Sequence, residues 1–173
     1  MDRKLRTHEM GRLSPEEFVH AEKSSIRLML DNVRSAHNVG SIFRTADAFR
    51  CREIVLAGHT PVPPHPDLEK TALGATECVS WTHTDAPLEW LKNSEAVKIG
   101  VEITEHAHKL DAFVWPKEEC ILIFGHEVTG VSNELLGSCD QVIAIPQFGT
   151  KHSLNVSVTA GIVLWDHLIK KRA

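Results

Sequence analysis

Short, solidly apolar runs alternate along this chain with longer stretches whose apolar residues recur at helical spacing. Ile26–Val33, Glu53–Ala57, Cys78–Thr82, Val97–Ile103, Ile121–Phe124 and Gln141–Ile145 have the length of strands. Asn38–Arg50 carries Val39, Ile42, Phe43, Ala46 and Phe49 on a helical repeat, and Pro87–Asn93 predicts a shorter helix. Asp67–Leu73 reads as a helical turn, and Ser132 as the cap of a short helix over Asn133–Cys139. Ser14-Pro15-Glu16-Glu17 places Ser at a helix N-cap, Pro in the first turn and a Glu reaching back, so a short helix to about Glu22 follows. Four prolines within His59–Pro66 mark a loop.

The final helix is predicted from about Ser153 to Lys170. Leu154, Val158, Ile162, Trp165 and Ile169 form one stripe, while Val156, Ala160 and Val163 fall on other faces. A first half that is apolar nearly all round is covered on more than one side, which suits a subunit interface. Strands that alternate with helices and read as near-continuous apolar runs predict an α/β domain, a mostly parallel sheet flanked by helices. With no repeat, low-complexity tract or linker, residues 1–173 read as one domain, 1–24 being a short N-terminal extension with one helix.

Composition changes this picture in a few places. At 173 residues the chain can bury roughly two-thirds of its unfolded surface. No window approaches the run of about 20 apolar residues that a membrane span needs, and the basic N-terminus is followed by no apolar signal segment. A cytoplasmic protein without a membrane partner is expected. The four cysteines stand singly, as free thiols do in such a protein. A net charge of −4 does not announce a nucleic-acid binder, so any RNA site must be a local patch. Arg3, Lys4, Arg6 and Arg12 form one basic cluster and Lys170, Lys171 and Arg172 another, though each also reads as a solvated terminus. Of the eleven histidines, His106 and His108 are a spaced pair without a third ligand, and no metal site is expected. No GxGxxG turn follows an early strand, which argues against an ordinary Rossmann nucleotide enzyme and a class-I methyltransferase.

Three constellations carry candidate chemistry. Asn38-Val39-Gly40-Ser41-Ile42-Phe43-Arg44-Thr45-Ala46 follows the first strand as a loop-to-helix unit with an Asn cap. Gly125-His126-Glu127-Val128-Thr129-Gly130 directly follows an apolar strand, two glycines bracketing a carboxylate where the backbone turns and a ligand can approach. From Ile145 to Ser157 the sequence IPQFGTKHSLNVS alternates polar Ser153, Asn155 and Ser157 with apolar Leu154 and Val156 where a helix begins, and free N–H groups there can hold an acceptor. Taken alone, each has a plain explanation: a solvated helix arginine, a tight turn with an exposed Glu, a helix start.

In order and spacing, NxGxxxRxA, GxExxG and IPxxGxxxSLNVSxxxG together resemble the signature motifs of the SpoU/TrmH family of RNA 2'-O-ribose methyltransferases, within the SPOUT superfamily. The small, catalytic-domain-only members are the nearest in kind. Gln147-Phe148 departs from the family pattern, where many relatives have Met. The resemblance implies a deep C-terminal trefoil knot that holds S-adenosylmethionine in a bent form. It implies Arg44 as catalytic residue, with Asn38, Glu127, Ser153 and Asn155 as its polar surround. Phe124, Gly125, Gly130, Ile145, Phe148, Ser153 and Leu154 would contact the cofactor, with Val101–Ile103 a further edge. It also implies a homodimer through the C-terminal helix, one active site borrowing residues from its partner, and RNA as substrate, tRNA being favoured over rRNA.

Within that picture the guanidinium of Arg44 is a poor proton acceptor, since its pKa exceeds about 12. Gripping an RNA phosphate and orienting the 2'-hydroxyl suits it better, the proton leaving through that phosphate, Glu127 or water. The competing expectation is a non-catalytic RNA-binding module that kept the fold, against which the intact polar set speaks.

Overall fold

A computed structural model describes residues 2–6 and 9–172. Seven strands form a single sheet: β1 (Ile26–Asp31), β2 (Glu53–Ala57), β3 (Trp81–Thr84), β4 (Val97–Val101), β5 (His108–Lys109), β6 (Cys120–Phe124) and β7 (Gln141–Ala144). Their order is β3-β2-β1-β6-β4-β7-β5, and every pairing is parallel. Burial on both faces explains why the central strands lack polar alternation. Leu28, Leu30, Ile54, Leu56, Leu122 and Phe124 pack on one face with α2 (Ala36–Ala48), α3 (Pro66–Ala72) and α7 (Val156–Arg172). Met29, Val55, Ile121 and Ile123 pack on the other with Leu91 of α5 (Pro87–Lys92) and Leu135 of α6 (Asn133–Leu136). The predicted α/β class and parallel sheet are therefore what the chain adopts.

The predicted capping box is present at α1 (Pro15–His20): Ser14 Oγ accepts from the Glu17 N–H at 3.2 Å and Glu17 Oε2 from the Ser14 N–H at 2.7 Å. Two boundaries shift for local reasons that bear on the site. Helix α2 starts at Ala36, capped by Ser35, whose Oγ accepts from the Asn38 N–H at 3.3 Å. Asn38 is thus inside the first turn, and its side chain is released for other contacts. Gly40 lets α3 approach closely, since a Cβ there would run into the Leu68 carbonyl and the Thr71 hydroxyl. Helix α7 starts at Val156 rather than Ser153, because Asn155 is its cap: Asn155 Oδ1 accepts from the N–H groups of Ser157 (2.9 Å) and Val158 (3.4 Å).

Cys78, expected in a strand, closes the four-residue helix α4 (Ala75–Cys78), and the strand begins only at Trp81. Leu73 (φ 51°) and Gly74 (φ 85°) are both left-handed there, and the chain restarts a helical turn after them. Ser132 occupies the cap of α6 without a capping bond, its N–H donating instead to the buried Asp31 Oδ2 at 2.8 Å. No helix among the described residues is long and apolar enough to cross a membrane.

Candidate active site

The C-terminal ends of β1, β4, β6 and β7 converge, and the three constellations meet there. The turn after β6 is tight: His126 and Gly130 exchange backbone hydrogen bonds of 3.0 and 2.9 Å, and His126 Nδ1 accepts from the N–H groups of Val128 (3.0 Å) and Thr129 (3.2 Å). Gly130 needs its freedom, at φ 71° with the Glu102 carboxylate where a Cβ would stand. Glu127 projects from this turn onto the start of α2. Its Oε2 accepts from the Arg34 N–H (3.1 Å), and its Oε1 from the Ser35 N–H and Asn38 Nδ2 (both 3.0 Å). Asn38 Oδ1 in turn accepts from Asn155 Nδ2 at 3.0 Å. One hydrogen-bonded line, Glu127–Asn38–Asn155, therefore ties together segments as much as 117 residues apart in sequence.

Electrostatics keep this line in one protonation state. Burial pushes the Glu127 carboxyl up, but hydrogen bonds from Asn38 and from the N–H groups of Arg34, Glu127 itself and Ser35 outweigh it. The net effect holds the carboxyl below its ordinary value, so it stays ionised and acts only as an acceptor.

Beside the line opens a cavity of about 640 Å³, lined by residues 101–103, 124–128, 130, 143–145, 147, 152–156 and 159. Glu102 and Glu127 are its acidic residues, and neither Lys nor Arg lines it among the described residues. Glu102 Oε2 accepts from the Val131 N–H (3.0 Å) and its Oε1 from the Ile103 N–H (2.8 Å). Val101, Ile103, Phe124, Ile143, Ile145, Leu154 and Val156 supply apolar walls, and His126, Gln147, His152, Ser153, Asn155 and Thr159 add polar groups. No group of three or more His, Cys, Asp and Glu able to hold a metal ion occurs among the described residues.

Of the residues expected to bind a cofactor, Phe124, Gly125, Gly130, Ile145, Ser153 and Leu154 all line this cavity. Phe148 does not, and is 97% exposed. Asn38, Glu127 and Asn155 are brought into direct contact, whereas Ser153 makes no side-chain hydrogen bond among the described residues. Arg44 stands exposed, six residues beyond Asn38 and so about 9 Å further along α2. It makes no hydrogen bond or ion pair among the described residues. Glu102 and His126 were not singled out from sequence, yet Glu102 carries the same signal as Glu127, a carboxylate just past an apolar strand.

Comparison with known proteins decides the family. The model of the SpoU rRNA Methylase family matches residues 25–165. This chain belongs to that family. It is 31% identical over 156 residues to the tRNA (guanosine(18)-2'-O)-methyltransferase of Thermus thermophilus, covering 87% of this chain and 78% of that protein. It is 31% identical over 145 residues to the 23S rRNA (guanosine-2'-O-)-methyltransferase RlmB of Neisseria meningitidis, covering 79% of this chain. There it spans only 55% of the relative's length, and 58% and 62% of two further RlmB proteins. Among solved structures, the A. aeolicus TrmH/SpoU tRNA modifying enzyme superposes with a TM-score of 0.79 at 26% identity, over 90% of this chain and 80% of that one. The SpoU methyltransferase AviRb from Streptomyces viridochromogenes, solved with AdoMet, shares the fold with a TM-score of 0.77 at 23% identity, over 88% of this chain and 60% of that one.

Proposed function

We propose that this SpoU-family chain transfers the methyl group of S-adenosylmethionine to a ribose 2'-hydroxyl of RNA. The observation that carries the reading is the Glu127–Asn38–Asn155 line standing at the mouth of a ligand-sized cavity at the carboxyl ends of parallel strands. The cavity fits the cofactor chemically. Apolar walls and backbone groups suit an adenosine, and a lining with two carboxylates and no Lys or Arg suits a sulfonium. Phe124, Gly125, Gly130, Ile145, Ser153 and Leu154 would hold it, in the trefoil knot that membership of the family implies for the C-terminal segment. Bound there, it supplies an electrophilic methyl group.

The chain's own residues would then position the acceptor. Glu127, kept ionised, fixes Asn38, and Asn38 fixes Asn155 at the head of α7. With its oxygens engaged and its carboxyl below the ordinary value, Glu127 serves as an anchor better than as a base. Arg44, exposed and without a protein partner among the described residues, is available to grip an RNA phosphate and orient the hydroxyl. The proton would leave through that phosphate or water.

Within that reading tRNA is favoured over rRNA, and relatives of both kinds are similar to this chain. A homodimer through α7 is supported by the predicted stripe, whose Val158, Ile162, Trp165 and Ile169 are all exposed on the single chain.

Calorimetric titration with S-adenosylmethionine, followed by mass spectrometry of tRNA and rRNA nucleosides from a strain lacking the gene, tests the reading. One missing 2'-O-methyl nucleoside, restored by the purified protein, is expected. A chain that binds no cofactor would be the non-catalytic RNA-binding module instead. Trp165→Glu should convert a dimer to monomer in light scattering, and a monomeric parent protein would remove the dimer from the proposal.

A further inference from the structure

A second groove, of about 400 Å³, shares a wall with the cavity: His126 and Gly130 line both, so the 126–130 turn separates them. Arg34, His59 and Thr129 line the groove as well, and its floor is Asp31 and Asn32. The floor is built from side chains that tie three strand ends together. Asp31, 2% exposed, accepts from the Ser132 N–H through Oδ2 and from Asn32 Nδ2 through Oδ1, both at 2.8 Å. Asn32 sits in the left-handed region (φ 55°), and its Oδ1 accepts from the His59 N–H at 3.1 Å. Gly58, at φ 61°, closes on the Asn32 amide, where a Cβ would not fit. Left-handed backbone at a non-glycine residue, held by a buried carboxylate, keeps the loops after β1, β2 and β6 at fixed spacing.

The rim's chemistry is that of an anion site. Asp31 is the only acid that lines it among the described residues, and both of its oxygens already have donors. Neither the Arg34 guanidinium nor the His59 ring has a hydrogen bond or ion pair among the described residues. The neutral His126 ring accepts two backbone N–H groups at Nδ1, so its proton is on Nε2, which is left as a donor. Arg34 also adjoins the proposed chemistry directly, because its N–H holds Glu127.

Resting on the methyltransferase reading, we propose that this groove seats the nucleotide next to the methylated ribose, with its phosphodiester on Arg34 and His59. A volume of about 400 Å³ lies at the lower end of the range for small-ligand sites, the scale of one nucleotide. In a chain of net charge −4, such a local site supplies the RNA attraction that the total charge does not.

The experiment is methyl transfer from labelled S-adenosylmethionine to total RNA from a strain lacking the gene, over a range of salt concentrations. Arg34→Gln should raise the apparent KM for RNA about tenfold, the lower end for hydrogen bonds to a charged group, and the double variant with His59→Gln should raise it further. The logarithmic salt slope of kcat/KM should fall by about one for Arg34→Gln, as loss of one phosphate contact requires. Calorimetric affinity for S-adenosylmethionine should stay unchanged, which shows that the fold is intact, and Arg34→Lys should restore the slope. Arg52→Gln, the same charge change at the opposite end of β2, controls for net charge and should leave the slope alone. Parent protein that transfers no methyl overturns the methyltransferase reading and this inference with it. Active parent protein whose groove variants keep the parental KM and slope, or lose them equally in Arg52→Gln, overturns the groove alone.

Discussion

The two ends of α7 are fixed by opposite means. At its head, Asn155 is exposed and held by hydrogen bonds to Asn38 and to the first turn, and neighbouring Leu154 and Val158 face solvent. At its foot, packing dominates. Phe113 and Trp115 meet edge to face at 5.0 Å and Trp115 and the buried His167 at 4.9 Å, while Trp115 Nε1 donates to Asp166 Oδ2 at 2.8 Å. Asn155 and His167 lie twelve residues apart, about 18 Å along the axis. A helix clamped at one end by a core and aimed at the other by polar contacts separates stability from chemistry. Damage at the foot should unfold the protein before it slows it, and damage at the head should do the reverse.

The severest test of that separation is Trp115→Ala. It removes a ring that is 8% exposed, two aromatic contacts and the donor to Asp166, so about 3–5 kcal/mol of stability should be lost in urea titrations. The kcat of the protein that remains folded should stay within about threefold of the parent. A hundredfold fall in kcat with a cofactor-competent fold would show that the foot also sets the geometry of the head. Glu127→Ala is the reciprocal case. Arg34 N–H, Ser35 N–H and Asn38 Nδ2 lose their acceptor, but the site is open to water, so stability should fall by about 1 kcal/mol or less. Methyl transfer should fall about a hundredfold, the scale expected when reacting groups lose alignment by an ångström. Equal losses in stability and rate would merge the two ends into one unit.

The sequence carried the head of α7 further than the foot. Every central strand was visible because burial on both faces leaves only apolar residues, and the motif residues Asn38, Glu127 and Asn155 prove to be direct neighbours. Their hydrogen-bond roles were not readable: Asn38 looked like a helix cap until Ser35 took that place, and Ser153 looked like the start of a helix that Asn155 begins. The foot left almost no periodic signal. Its clamp comes from Leu110–Ala112, a three-residue 3-10 turn, and from the irregular stretch through Phe113 and Trp115 that follows, neither long enough for a pattern. Phe148 shows the converse, an aromatic beside a motif that the structure leaves in solvent.

His167 sharpens the comparison through pH. Its burial, and then the Lys171 charge, push its pKa down to about 4, while Asp166 pulls the other way. A folded value below the unfolded value of about 6.5 means that the unfolded chain takes up the proton first. The neutral ring's contribution is therefore whole above about pH 6.5 and is lost as pH falls toward 4. Stability should decline by about 2 kcal/mol over that window, part of the full linkage. His167→Phe should flatten this segment of the pH–stability curve whatever its effect at neutral pH. An unchanged slope in that variant would assign the acid sensitivity elsewhere, though not to Glu127, whose carboxyl is held below its ordinary value and loses its contribution only at lower pH.

The smallest expected effect examines whether the foot is one cooperative clamp. Lys170 Nζ donates to the carbonyls of Leu110 (2.6 Å), Asp111 (3.1 Å) and Phe113 (3.3 Å), and lies 3.0 Å from Asp166 Oδ1. Partial exposure of the ammonium keeps the net value low, so Lys170→Met should cost about 1 kcal/mol, its stem still packing as before. Trp115→Phe, which deletes the N–H to the other Asp166 oxygen together with part of a buried ring, should cost about 2 kcal/mol. Because the two donors share one carboxylate, the double variant should depart from additivity by about 0.5 kcal/mol. Strict additivity would mean that the aromatic ladder alone holds the foot, with Asp166 a bystander between two independent contacts.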